Sequence, residues 1–236
     1  MAVPTVARPA TSKPPVPATW VLKVIMAVTG LVLFGFVVAH LVGNLKIFLG
    51  EEAMNHYAEW LQADLLYPLI PEGWFIWIFR AFMLTCLVAH IYAAVIIRRR
   101  AGKSRGRFKR QGLKGLSNFQ ARNMLVTGVV LALFLVFHLL DLTIGKAVAS
   151  PEWEHLNAYD NVVNSFSRPA VAAFYIAAMV ILFLHLAHGL WSTVNDLGAT
   201  GHRVRATAWA LAGIVALVIM AGNIAIPVAV LTGVIA

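Results

Sequence analysis

Charged side chains are scarce in this chain, 12% of residues against roughly 25% in an average globular protein. Acids number only ten. With 60% hydrophobic residues and a mean hydropathy of +0.79, this excludes a water-soluble enzyme, because a soluble core of 236 residues cannot hide so much apolar surface. Cysteine is nearly absent. The single Cys86 lies inside an apolar run, which excludes an internal disulfide and a Cys-built metal cluster within this chain. The first twenty residues hold five of the ten prolines and no apolar stretch of the length a cleavable secretion signal needs. Residues 1–20 therefore read as an extended, disordered arm.

Five apolar runs remain, each near or above the ~20 residues that a bilayer requires. They predict an all-α, polytopic membrane protein with helices over 22–49, 73–97, 122–145, 169–194 and 206–232, residues 21–236 forming one five-helix domain. The nineteen Lys and Arg residues outnumber the acids, giving a formal charge of +9. They cluster between apolar runs, so the basic balance is read as membrane topology and not as nucleic-acid binding. The connector 98–114 (RRRAGKSRGRFKRQGLK) holds nine of them and no acid. The connector 50–72 holds Glu51, Glu52, Glu59, Asp64 and Glu72 and neither Lys nor Arg. The short 195–205 loop carries Arg203 and Arg205. The positive-inside rule places the N-terminus, 98–114 and 195–205 in the cytosol, and 50–72, 146–168 and the C-terminus outside. The basic connector reads as an anionic-lipid contact, a docking surface for a cytosolic partner, or both.

Four histidines sit deep in successive runs: His40, His90, His138 and His185, with His188 one turn further on. At 1.5 Å per residue, His40 and His138 lie ~24–27 Å from the inner face, and His90 and His185 ~10–14 Å from it. The imidazoles sort into an outer pair on the first and third helices and an inner pair on the second and fourth. Membrane histidines need hydrogen-bond partners or a function. Two imidazoles at one depth on facing helices suit bis-histidine ligation of haem iron, whereas zinc prefers four ligands converging on one point. Two b-type haems stacked along the membrane normal are the economical reading. Depth alone does not separate His185 from His188, three residues apart on one helix.

Several quoted segments resemble a known family. AHLVGNLKIFLG (39–50) with the following MNHYAEWL, TGVVLALFLVFHLLDLTIG (127–145) and YDNVVNSFSRPAVAAFYIAAMVILFLHLAHGLWSTVNDLG (159–198) are similar to the di-haem cytochrome b subunits of succinate:quinone oxidoreductases, b558 type. The last segment carries SF-x-x-P and H-x-x-H-G-x-W. The resemblance implies a membrane anchor in a bacterial inner membrane, in complex with a flavoprotein subunit and an iron–sulfur subunit on the cytosolic side. A higher oligomer of the complex is compatible with it. It implies His40 and His138 as ligands of the outer haem and His90 and His185 as ligands of the inner one; His188 need not touch iron and is read as a partner for a haem propionate or for the neighbouring helix. Electrons would pass from the iron–sulfur subunit through two haems to quinone, and the family implies menaquinone. The chain would have no complete activity alone. The compact basic connector departs from the longer, tyrosine-containing link of the family.

Other polar residues complete the expectation. Asn44 lies one turn beyond His40, and Asp141 lies three residues beyond His138; each is read as a haem contact or a helix-to-helix hydrogen bond. Arg80, about 15 Å nearer the outside than His90, suits a haem propionate or snorkels to the headgroups. Glu59, Asp64 and Glu72 are the candidates for proton transfer at an outer quinone site. Gly35, Gly43, Gly128 and Gly189 allow close helix approach or leave room for a porphyrin. Trp74, Trp77, Trp153 and Trp191 read as interface anchors. The competing readings are a di-haem anchor of another respiratory oxidoreductase and a transporter with a histidine proton path. No internal sequence repeat of the transporter kind is expected, only the alternating histidines.

Overall fold

An apolar run in lipid must satisfy its backbone hydrogen bonds internally, which leaves the α-helix as the structure for each of the five runs. The computed structural model describes residues 16–105, 115–199 and 201–236, without the side chains of 105 and 115–122. Residues 1–15 of the expected arm and 106–114 of the basic connector lie outside the described residues. Among the described residues there are seven α-helices: α1 Thr19–Asn44, α2 Glu51–Glu59, α3 Trp74–Arg105, α4 Gly115–His138, α5 Ala158–Phe166, α6 Pro169–Asp196 and α7 His202–Leu231. Five stretches are long and apolar enough to cross a bilayer: Thr19–Leu49, Trp74–Ser104, Asn123–Ile144, Pro169–Asp196 and His202–Leu231. The chain is a multi-pass membrane protein.

The ends differ from the expected boundaries for local reasons. The first run leaves α-geometry after Asn44 and tightens into a 3-10 turn, Leu45–Leu49, before Gly50. The third widens after His138 into a π-helical turn, Leu139–Ile144. Gly145 ends it at φ +68°, a left-handed conformation that glycine adopts without the Cβ penalty, and Lys146 N–H closes the turn on the Leu140 carbonyl at 3.0 Å. Pro169 opens α6 in its first turn, where a missing N–H removes no hydrogen bond. The second run continues past 97 to Arg105.

In the bundle α1 packs against α3, α6 and α7, while α4 packs against α6. Helix α7 covers the seam between α1 and α6. The connectors of the acidic end are folded too. Helix α2 lies beside α5, where Asn55 donates to Asn157 Oδ1 at 3.2 Å and accepts from Tyr159 N–H at 2.9 Å. The packed cluster of Ile47, Met54, Phe166, Ala172, Tyr175, Ile226 and Val230 sits at this end. The acidic end is therefore capped by protein.

Pairing the helices exposes a repeat that reading the chain linearly misses. MAVTGLVLFGFVVAHL (26–41) on α1 recurs as MLVTGVVLALFLVFHL (124–139) in the α4 span, with ten of sixteen positions identical. Thr29, Gly30, Phe36 and His40 correspond to Thr127, Gly128, Phe134 and His138. The expectation of no internal repeat is corrected accordingly. α1 and α4 are two copies of one histidine-bearing helix.

Candidate functional site

The bundle brings the histidines together in two layers. His40 of α1 and His138 of α4 stand edge to face with ring centroids 5.8 Å apart. The same phenylalanine of the repeat flanks each ring: Phe36 stacks on His40 at 5.3 Å and Phe134 on His138 at 5.9 Å. His90 of α3 and His185 of α6 form the second layer, nearer the basic end, each against the corresponding threonine of one copy of the repeat. All four imidazoles are half-buried.

The Thr-Gly step of each repeat copy receives the histidine of the next helix. Thr29 Oγ1 lies 3.2 Å from His90 Nδ1, and Thr127 Oγ1 lies 3.1 Å from His185 Nδ1. The neighbouring glycines make room for the rings. A Cβ on Gly30 would stand 3.2 Å from His90 Cε1, and one on Gly128 would stand 3.5 Å from His185 Cε1. Larger residues there would crowd the imidazoles.

Donor counting assigns the ring protons. Thr29 spends its hydroxyl hydrogen on the Ile25 carbonyl at 2.6 Å, so it accepts from His90. His90 Nδ1 is also 3.2 Å from the Met26 carbonyl, an oxygen that can only accept. Thr127 likewise donates to the Met124 carbonyl at 3.0 Å. Tyr175 donates its hydroxyl hydrogen to Asp141 Oδ2 at 2.9 Å and therefore accepts from His138 Nδ1, at a long 3.4 Å. In all three rings Nδ1 carries the hydrogen, and the Nε2 lone pair of the neutral imidazole is left for a ligand. Second-sphere partners orient metal-binding histidines in this way.

Beside His138 lies a buried ionic cluster. The Asp141 carboxylate, 1% exposed, accepts from Ser165 Oγ at 2.5 Å, Tyr175 OH at 2.9 Å and Arg168 Nη2 at 2.7 Å. Arg168 Nη1 also donates to the Val148 carbonyl at 2.7 Å. Of the two readings for Asp141, these contacts join helix to helix.

The remaining candidates are placed as follows. His188 lies beside Trp191, ring centroids 5.6 Å apart, and that indole also meets Arg205 at 5.9 Å. Arg80 is exposed, with its guanidinium 4.8 Å from the Trp77 ring. Asn44 ends α1 and is half-buried. Glu59, Asp64 and Glu72 are exposed on the connector at the acidic end. A shallow cleft of about 240 Å³ at the same end is lined by Lys46, Ala53, His56, Tyr57 and Trp60. Among the described residues, no three His, Cys, Asp or Glu side chains converge as a metal cage.

Thr29, Thr127, Tyr175, Arg168 and Ser165 were not singled out from the sequence. The threonines were findable: each precedes its own helix's histidine by eleven residues, followed by glycine. Arg168 and Asp141 were findable as opposite charges at the same end of neighbouring spans.

Residues 122–222 match the family model described as the succinate dehydrogenase/fumarate reductase transmembrane subunit. That stretch carries His138, Asp141, Arg168, Tyr175 and His185. The chain is also similar to the succinate dehydrogenase cytochrome b558 subunit of Bacillus subtilis (strain 168), with 26% identity over 165 residues, 70% of this chain and 73% of that protein. No solved structure matches the chain.

Proposed function

We propose that this chain is a succinate dehydrogenase/fumarate reductase transmembrane cytochrome subunit, a distant homologue of the B. subtilis cytochrome b558 subunit, and that it holds two b haems. His40 and His138 ligate one, and His90 and His185 ligate the other. The chain anchors a flavoprotein subunit and an iron–sulfur subunit at the basic, cytosolic end. The N-terminus is cytosolic, the C-terminus is outside, and the membrane is a bacterial inner membrane.

The observation that carries this reading is the donor set. Two layers each bring together two imidazoles, and three of the four rings have Nδ1 committed and Nε2 available. The 5.8 Å between the His40 and His138 ring centroids would let both imidazoles hold one group. The glycines opposite His90 and His185 and the phenylalanines stacked on His40 and His138 suit a flat macrocycle between helices. The residues present fit the group.

A bound haem would supply one-electron chemistry between the iron–sulfur subunit and a quinone, for which the family resemblance points to menaquinone. The protein's own work is to orient the imidazoles, exclude water and manage protons. Thr29 and Thr127 fix the rings of His90 and His185. Helices α2 and α5 cap the acidic end. The cleft at Lys46, His56, Tyr57 and Trp60 is where a quinone ring is accommodated, and Glu59, Asp64 and Glu72 exchange its protons with water. Moving one charge across the bilayer against 100 mV involves ~2.3 kcal/mol, so two centres spaced along the normal link the reaction to the membrane potential.

The test is purification of the complex through a tag on this chain. A flavin-containing and an iron–sulfur subunit should co-purify, and succinate should reduce the b-haem absorbance. A haem-free preparation, or a haem-bearing complex without succinate activity, would overturn the reading.

A further inference from the structure

The repeat makes α1 and α4 nearly equivalent, so the positions where the copies diverge stand out. Asp141 occupies the position that Gly43 holds in the first copy, ninety-eight residues earlier. At Gly43 there is no side chain, and Tyr57 lies against the backbone. At Asp141 a carboxylate is buried with three donors, one of which is the hydroxyl that accepts from His138 Nδ1. Among the described residues the inner pair has no counterpart of this: His90 and His185 rest on neutral threonine hydroxyls and the Met26 carbonyl. Among the described residues, only one of the two layers touches a charged network.

We propose that Tyr175 and Asp141 form a hydrogen-bonded relay that positions His138 and makes it a stronger electron donor, lowering the reduction potential of the acidic-end centre, with Arg168 as the counterweight. This rests on the reading that His138 is a haem ligand. The tyrosine oxygen draws on the Nδ1 hydrogen of His138 and passes its own hydrogen to a carboxylate, so negative charge is pushed towards the ring. A more basic imidazole favours the oxidised, more positive metal. A buried carboxylate also opposes arrival of an electron nearby, and the guanidinium 2.7 Å from that carboxylate partly cancels it. Tyr175 and Asp141 are thus positioning residues, and Arg168 adjusts their strength. Because Arg168 is 33% exposed, its compensation is incomplete.

A salt bridge that merely held α4 to α6 would give a different pattern, because loosening the helices shifts the centre in one direction whichever partner is removed. The relay requires opposite signs for the two charges. The experiment is a redox titration of the haem absorbance in the purified complex, with haem content measured in parallel. Tyr175→Phe should retain both haems and raise the potential of one wave only, changing its oxidised-to-reduced ratio at a fixed ambient potential by about tenfold, or ~59 mV for a one-electron couple. Asp141→Asn should move the same wave upward and Arg168→Gln should move it downward. The other wave should stay in place in all three variants.

Full haem content with both waves unmoved in Tyr175→Phe would overturn the relay. So would a shift of the same sign in Asp141→Asn and Arg168→Gln. If either charge variant fails to assemble, Tyr175→Phe decides alone, since it removes one oxygen and leaves the ion pair. His138→Ala separates this inference from the one beneath it. Loss of one haem there with an unmoved wave in Tyr175→Phe rejects the relay only, whereas retention of both haems in His138→Ala rejects the ligand assignment itself.

Discussion

Thr127 provides the acceptor for the Nδ1 hydrogen of His185, and valine is its closest apolar replacement in shape. Thr127→Val keeps the β-branched outline and removes the oxygen. The imidazole N–H, 3.1 Å from that oxygen, then faces hydrocarbon with no acceptor. A buried donor left unsatisfied costs about 1–3 kcal/mol, equivalent to about a 5- to 150-fold loss in affinity for whatever the ring holds. Thr29→Val is the matched experiment on the other copy of the repeat. His90 keeps the Met26 carbonyl at 3.2 Å as a second acceptor, so its loss should stay below about 1 kcal/mol, under roughly fivefold. The assay is haem transfer from the detergent-purified complex to excess apomyoglobin, followed optically. Thr127→Val should release one haem at least about fivefold faster than wild type, and Thr29→Val should accelerate release by less than that. Faster release from Thr29→Val than from Thr127→Val, or no change in either, would refute the assignment of ring protons.

Further substitutions test other parts of the structure. Gly145→Ala places a Cβ at φ +68° and drives it into the Trp153 ring; with ~1–2 kcal/mol for the backbone alone, thermal unfolding followed by circular dichroism should fall by several degrees, and an unchanged midpoint would contradict the packing. Lys23→Ala removes a 2.7 Å ion pair to Asp196 whose lysine is 46% exposed, so the same melt should shift by less than about 1 kcal/mol. His188→Asn should keep both haems while His185→Ala loses one, as counted from the reduced spectrum; the reverse outcome would move the ligand by one turn.

Much of this architecture is written in hydropathy. Each span needs a long apolar run, and the five runs of the sequence correspond to the five long helices. The depths of the four histidines follow from counting along those runs, and His40 and His138 do meet across the bundle. The ends were less legible. Apolarity does not distinguish an α-turn from the 3-10 turn at Leu45–Leu49 or the π turn at Leu139–Ile144. The polar shell was harder still, because its members are far apart in the chain. Asp141 and Arg168 are separated by 27 residues, and Thr29 and His90 by 61. Only packing turns such pairs into contacts. Ser165 was noted within a motif, yet its bond to Asp141 needs the α5–α6 corner. The repeat is hard to see along the chain because its copies stand ninety-eight residues apart and differ at six of sixteen apolar-rich positions, while agreeing at the Thr-Gly step and the histidine.

Two stacked imidazole pairs are tested most directly by counting haem in single ligand variants. Pyridine haemochrome assay of the purified complex should give two b haems per chain in the wild type, one in His138→Ala, one in His185→Ala and none when both are replaced. Two haems retained in either single variant, or a single substitution that empties both sites while the complex stays assembled, would contradict the paired arrangement.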